Sequence, residues 1–126
     1  MNANRREVMQ ALLAAGAGTF AIAAYAAEPG RLTDADYKRL SAAPKTAGDH
    51  TALAKHYRAA GAEHEAEAKG FDALAAQYGK GLPGVNTSHA RELARAARHL
   101  AGHSRDFVEA LTEIAEVHDG IAQGPV

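Results

Sequence analysis

Histidines are the residues of this sequence whose number and spacing could carry chemistry. The chain has seven of them in 126 residues, and the segment HARELARAARHLAGH alone contains His89, His99 and His103. His99 and His103 are four positions apart, so on a helix both imidazoles project from one face, which is the spacing of helical zinc sites. The pattern predicts histidines along a helix seam, where imidazoles could bind a metal.

Two candidate metal sites follow if two long helices fold back on each other at residues 82–84, because that register places His64 opposite His103 and His50 near His118. The inner candidate site comprises His64, Glu67, His99 and His103, and the outer candidate site comprises His50 and His118. Imidazole and carboxylate ligands suit Zn(II), Ni(II) or Cu(II). The sequence has no Cys, and both Met residues lie in its first nine positions, so downstream of them thiolate and thioether ligands are excluded.

Hydrogen bonding is the competing interpretation of these histidines. An imidazole at a seam position is often a partly buried polar residue that bonds to a Tyr, a Glu or water. His89 beside Tyr78 is expected to be such a pair, whereas His56 falls off the seam and is expected to be solvated. A haem held between histidines also stays open, but c-type attachment needs Cys-x-x-Cys-His and is excluded.

Catalytic patterns are weak. Ser88 and Ser104 each stand beside a histidine, but adjacent residues of a helix point in different directions. The glycines of residues 79–84 link two helices and lack the phosphate-loop pattern. The sequence therefore predicts no enzyme.

Start and stop signals place these histidines on helices. A short helix is expected after Thr33, with Asp36 completing a capping box and Pro44 ending it. Long helices are expected at about 47–79 and about 87–121, separated by a Gly- and Pro-rich turn. The predicted fold class is all-α, a long antiparallel helical hairpin with a short N-terminal helix.

Both long helices carry apolar residues at alternating steps of three and four. The predicted seam comprises His50, Leu53, Tyr57, Ala60, His64, Glu67, Phe71, Leu74 and Tyr78 on the first helix, and His89, Leu93, Ala96, Leu100, His103, Phe107, Ala110, Ile114, Val117 and Ile121 on the second. Two helices alone bury little apolar surface. Either the short helix covers the seam or two hairpins pair as a four-helix bundle, and a homodimer is the preferred expectation.

The first 26 residues resemble an export signal. Arg5 and Arg6 precede a mildly apolar stretch, and Ala24-Tyr25-Ala26 offers small residues to a signal peptidase before Ala27. The paired arginines favour a twin-arginine signal, with an ordinary secretory signal as the alternative. We therefore expect a single helical domain over 27–126, located in the periplasm, with no stable membrane span after cleavage.

Charge and composition exclude some classes of partner and some covalent modifications. Without Arg5, Arg6 and Glu7 the chain has 12 basic and 14 acidic residues, and no basic patch occurs, so nucleic acid is not an expected partner. Without Cys, disulfides and a lipid anchor on Cys are excluded.

A longer pattern combines several of these residues. Asp49-His50-x-x-Leu53-Ala54-x-x-Tyr57, a Gly/Pro turn, His89-x-x-x-Leu93-Ala94 and Ala115-x-x-His118 together resemble a group of small, exported, Ala- and His-rich proteins of Gram-negative bacteria. The resemblance covers about residues 48–122 and implies export and a helical hairpin, but no activity. In that group a Cys often follows the histidine that opens the second long helix, and here Ala90 takes that position.

Two functions remain at this stage. The first is an exported helical protein that binds a divalent transition metal through seam histidines. The alternative is a helical module without metal that oligomerises, docks on an envelope protein or acts as a small chaperone. In that case the histidines would tune pairing with pH, because imidazole titrates near neutrality.

Overall fold

The computed structural model describes residues 28–124. Within that range the protein consists of three helices and no strands: α1 (Asp34–Ala42), α2 (Ala47–Gly79) and α3 (Thr87–Ala122). The two long helices pack against each other, which confirms the predicted all-α hairpin. None of these helices is long and apolar enough to span a membrane. The predicted export signal, residues 1–26, lies outside the described residues.

Side-chain caps start α1 and α2 where the sequence predicts them. Thr33 Oγ1 accepts a hydrogen bond from the Asp36 N–H at 3.2 Å. At α2 the cap is reciprocal, because Thr46 Oγ1 accepts from the Asp49 N–H at 3.0 Å and Asp49 Oδ2 accepts from the Thr46 N–H at 3.2 Å. A further bond to Asp49, from the Lys45 N–H, is the main cause that lowers the pKa of this carboxyl. Both caps satisfy amide groups that a helix start leaves without partners.

The turn between the long helices depends on glycine. Gly81 has a φ of +97° and Gly84 a φ of +77°, a backbone region in which side chains with a Cβ are strained. After the turn, Asn86 Oδ1 accepts from the His89 N–H at 2.8 Å and caps α3. The chain therefore reverses through conformations that glycine supplies and restarts a helix on an Asn cap.

The chain divides into two compact units, which are described separately. Within the described range, unit 1 is residues 66–104 and unit 2 is residues 28–65 and 105–124. In unit 1, α2 contributes Ala68, Phe71, Leu74, Ala75 and Tyr78 to the core, whereas α3 contributes only Ala94, Ala97 and Ala101, with Leu82 packed at the turn. Large side chains of α2 thus pack on a stripe of alanines of α3.

Unit 2 is a three-helix arrangement. Its core combines Leu40 of α1 with Leu53, Ala54 and Tyr57 of α2 and Ala115 of α3, and Leu32, Tyr37, Ala52 and Leu111 pack against it. The short helix therefore covers the long helices in this unit. This is one of the two arrangements that the sequence left open.

The predicted seam is correct for α2 and wrong for α3. Its α2 residues are buried or half-buried. On α3 the predicted large residues are exposed: Leu93 41%, Leu100 39%, Phe107 48%, Ile114 39%, Val117 61% and Ile121 50%. The buried face lies one residue further along, at Ala90, Ala94, Ala97, Ala101, Ser104 and Ala115. One residue is a rotation of about 100° around the helix axis. Small side chains face inward because they leave room for the large side chains of α2.

Candidate functional site

The inner candidate metal site is not assembled. In unit 1, His99 and His103 are exposed on α3, while Glu67 is buried. His64 belongs to unit 2, where its ring lies 4.7 Å from that of Phe107. Among residues 28–124, no group of three or more His, Cys, Asp or Glu side chains is placed to hold a metal ion. The rotation of α3 is the physical reason, because it turns Ser104 inward in place of His103.

The two histidines of the outer candidate site are in contact. His50 Nδ1 and His118 Nδ1 are 2.9 Å apart, with ring centroids separated by 5.2 Å. His50 lies in the first turn of α2 and His118 near the end of α3, and both rings are half-buried. The hairpin register that the sequence predicted therefore holds for this pair.

Aromatic rings fix the surroundings of His118. Tyr57 stacks on it with an interplanar angle of 14° and a centroid distance of 5.7 Å. The Tyr57 hydroxyl lies 3.0 Å from the Tyr37 hydroxyl, and burial together with this hydrogen bond raises the pKa of Tyr57 to about 12. Burial lowers the pKa of His118, as does the neighbouring His50, although Asp119 acts in the opposite direction.

His56 is buried, and the expectation that it is solvated is wrong. It is 5% exposed, and its ring stacks on Tyr37 at 4.4 Å. Its Nδ1 accepts a hydrogen bond from the Leu32 N–H at 3.0 Å. His56 thus joins the segment before α1 to the middle of α2. The structural reason is that α1 covers the α2 face which a two-helix hairpin would have left in water.

This hydrogen bond sets the protonation state of His56. Because Nδ1 accepts from Leu32, a neutral His56 carries its proton on Nε2. The Arg31 guanidinium, 3.4 Å from Nε2, is also a donor, so it forms its ion pair with Glu63 at 3.1 Å instead. Burial lowers the pKa of His56, and the positive charge of Arg31 lowers it further against a smaller effect of Asp34. The neutral imidazole is therefore the form that fits the folded protein.

His89 is exposed, and its polar neighbour is Asn86 rather than Tyr78. Asn86 Nδ2 lies 3.2 Å from His89 Nδ1, so the imidazole extends the cap of α3. The predicted pair with Tyr78 is wrong for the same reason as the α3 seam. Tyr78 faces the buried side of unit 1, whereas His89 lies on the outer side of α3.

The outer face of α3 is the second notable surface, and we call it the outer stripe. It consists of Leu93, Leu100, Phe107, Ile114, Val117 and Ile121, all at least 39% exposed. Five of the six follow one another at intervals of seven residues. At its end a shallow groove is lined by Val117, Gly120, Ile121 and Gly124. The sequence predicted the heptad, but it did not predict that the heptad lies on the exposed face of α3.

The α1 side of unit 2 holds the site residues that the sequence analysis missed. Arg31, Tyr37 and Tyr57 surround His56 there, and they lie together with His64 and Phe107 around one open pocket. A signal was present in the apolar Tyr37 and Leu40 of α1 and in Leu32 just before it, which need a surface to cover. Comparisons with protein-family models, with curated proteins and with solved structures found no match. Fold and geometry therefore define the class of protein, an all-α helical hairpin with an apolar outer stripe.

Proposed function

We propose that this protein is an exported helical interaction module that acts by self-association, with the outer stripe of α3 as its interface. One observation carries the proposal: six large apolar side chains of a single helix are exposed by 39–61%. Monomeric proteins rarely expose contiguous apolar surface of this kind without using it. A heptad of apolar residues sustained over four repeats is the pattern with which helices pair.

A second copy of the chain is the occupant that suits this stripe. In a two-fold symmetric pair the same surface is used twice, so it must complement itself. With the two α3 helices antiparallel, Leu100 lies opposite Phe107 of the other copy, and Leu93 lies opposite Ile114. These four large residues then meet one another across the seam, whereas in the same register Val117 falls opposite Ala90 and Ile121 opposite Asn86.

Charge supports the antiparallel orientation. Unit 1 contains five Lys or Arg and three Asp or Glu, whereas unit 2 contains seven Lys or Arg and eleven Asp or Glu. An antiparallel pair brings the positive unit of each copy to the negative unit of the other. A parallel pair would bring units of like charge together.

The position of the exposed residues also supports one kind of assembly. Among the described residues, the exposed large hydrophobics are the six of α3 and Val85 of the turn, and none belongs to α2. This favours a seam between two α3 helices over a bundle core to which all four long helices contribute equally. We therefore propose a homodimer whose interface is formed by the two α3 helices, rather than by all four long helices of a four-helix bundle.

The test is a charge placed on the stripe. We expect Ile114→Lys to convert the self-associating protein to a monomer with unchanged helix content, because the lysine would be buried without a partner at the interface. Sedimentation measures the association and circular dichroism the helix content. Thr112→Lys is the matched control: it adds the same charge on the same helix at an exposed position away from the stripe and should leave the protein associated.

Two results would contradict the proposal. One is a wild-type protein that stays monomeric across the micromolar range. The other is an Ile114→Lys variant that associates as strongly as the wild type. If the wild type is a monomer and binds an envelope protein through the same residues, the outer stripe is an interface for that partner and not for a second copy.

Export is part of the proposal and is supported by the N-terminal sequence. The paired arginines, the mildly apolar stretch and Ala24-Tyr25-Ala26 favour cleavage before Ala27 and location in the periplasm. Intact-mass measurement of the protein recovered from its native host tests this. Retention of residues 1–26 would refute cleavage at that position.

A further inference from the structure

We propose that the open pocket around His56 in unit 2 binds a small, uncharged aromatic molecule that carries a carbonyl oxygen, of which an aromatic amide is the simplest example. The proposal does not depend on self-association. It rests on a buried imidazole N–H that has no acceptor, on the rings that surround it and on the charges beside it.

The donor is Nε2 of His56. Its Nδ1 accepts the Leu32 N–H at 3.0 Å, so the proton of the neutral ring is on Nε2. The polar neighbour of Nε2 is Arg31 Nη1 at 3.4 Å, and a guanidinium donates but cannot accept. A bond from Arg31 to Nε2 would need an imidazole that accepts at both nitrogens, which neither the neutral nor the protonated ring can do. Among residues 28–124, the Nε2–H of this 5% exposed residue is therefore left without an acceptor.

A ligand oxygen would relieve this arrangement. A buried donor without an acceptor is costly, and native structures rarely leave one. His56 and Arg31 both line the pocket, so an oxygen that enters it can accept from Nε2–H. Arg31 keeps its ion pair with Glu63 through Nε at 3.1 Å, which leaves Nη1 able to turn towards the same oxygen. The contact between two donors is then replaced by hydrogen bonds to one acceptor.

The remaining lining favours an aromatic ligand. It consists mainly of rings and apolar side chains: Tyr37, His56, Tyr57, His64 and Phe107, with Ala60 and Leu111. The pocket has a volume of about 300 Å³, the lower end of the range of ligand pockets, which suits a molecule of one or two rings. Water satisfies the donor but not the rings, whereas an aromatic molecule packs against them. Of these residues Phe107 alone also belongs to the outer stripe.

Charge decides between a carbonyl and a carboxylate on the ligand. Asp34 also lines the pocket, and Glu63 pairs with Arg31, so two carboxylates share this region with one guanidinium. A carboxylate on the ligand would lose its water shell beside a cation whose charge is already neutralised. A carbonyl oxygen accepts the same hydrogen bonds without that cost. The pocket therefore favours the uncharged molecule.

Titration of the isotope-labelled protein with benzamide near pH 7.5, followed by nuclear magnetic resonance, tests the proposal. We expect saturable shifts of the His56 ring nitrogens, with a dissociation constant of about 10 mM or lower, which corresponds to the ordinary efficiency of a ligand of this size. Benzoate adds a charge, and aniline has the ring without a carbonyl. Each should bind at least about twofold more weakly than benzamide, the smallest effect expected from one hydrogen bond.

Two variants separate the pocket from the fold. Ala60→Leu adds a larger side chain to the pocket lining and should abolish binding of benzamide. Its matched control is Ala62→Leu, at an exposed position of the same helix, which should keep the affinity of the wild type. His56→Asn retains an acceptor for the Leu32 N–H but places no donor where Nε2–H stood. It should bind benzamide and aniline equally, and it decides the question if Ala60→Leu fails to fold.

Four results would overturn the proposal. They are the absence of saturable benzamide binding by the wild type, tighter binding of benzoate than of benzamide, wild-type affinity in a folded Ala60→Leu variant, and a His56→Asn variant that still prefers benzamide over aniline.

Discussion

His56 attaches the start of the domain to a long helix through a hydrogen bond that only the neutral imidazole can accept. Its Nδ1 takes the Leu32 N–H, and Arg31 stands beside Nε2. Protonation would place hydrogen on Nδ1, break the bond to Leu32 and add a charge next to a guanidinium. We therefore expect acidification to weaken the docking of α1.

We expect the free energy of unfolding to decrease as pH falls below 6.5. Burial lowers the folded-state pKa of His56 and of His118 below that ordinary value, so the unfolded chain binds more protons there. The stabilisation is complete above pH 6.5 and is lost as pH falls towards the folded pKa values. His56→Asn, whose Oδ1 can replace Nδ1 as acceptor, should show a weaker pH dependence.

Urea denaturation at several pH values measures this effect. The exposed His99→Asn serves as the control and should follow the wild type. A pH profile of His56→Asn that coincides with the wild-type profile would show that His56 does not couple pH to stability.

Helix α3 carries two apolar stripes, and the fold uses them differently. The small stripe includes Ala90, Ala94, Ala97 and Ala101 and packs inward in unit 1, whereas the large stripe faces outward. Alanines let two backbones come close, and the large side chains of α2 fill the space between them. One face of α3 thus serves folding, and the other is the interface of the proposed association.

Neighbouring alanines of α3 provide a direct test of this division. We expect Ala97→Leu to destabilise the protein by about 1–3 kcal/mol, because extra methylenes do not fit a packed core. Ala97 is 3% exposed, whereas Ala96 lies on the outer side, so Ala96→Leu should not destabilise the protein. Urea denaturation of both variants measures the difference. Equal destabilisation would show that the face is assigned incorrectly.

On the scale of the whole molecule, the distribution of charge matters more than its total. The chain has a formal net charge of −1, yet unit 1 has an excess of basic residues and unit 2 an excess of acidic ones. Opposite excesses on one chain allow two antiparallel copies to attract each other over the length of their contact. The proposed dimer therefore combines an apolar seam with complementary charge.

The dissociation constant of the dimer should rise with salt. Ions screen exposed charges beyond about 8–10 Å at moderate ionic strength, which weakens the attraction between unlike units and leaves the apolar seam in place. Sedimentation at low and high sodium chloride measures the change. A dissociation constant that falls with salt would indicate a parallel pair, in which screening relieves repulsion between like units.

Much of this protein follows from local sequence. Thr33, Thr46 and Asn86 start helices because their side-chain oxygens cap free amides, and the glycines at 81 and 84 allow the reversal. These effects act within a few residues, so the helix bounds, the turn and the fold class could be predicted. The contact of His50 with His118 also followed, because a fixed turn sets which residues meet across the hairpin.

The tertiary structure alone decided which face of α3 is buried. Periodicity marks both stripes, one residue apart, and hydrophobicity favours the larger one. The choice depends on volume: Phe71, Leu74 and Tyr78 of α2 leave room only for small partners. Because of that rotation, His103 faces outward and the predicted inner site is not formed. The docking of α1, which buries His56, was equally non-local, because a contact between segments some 24 residues apart leaves no periodic trace in the sequence.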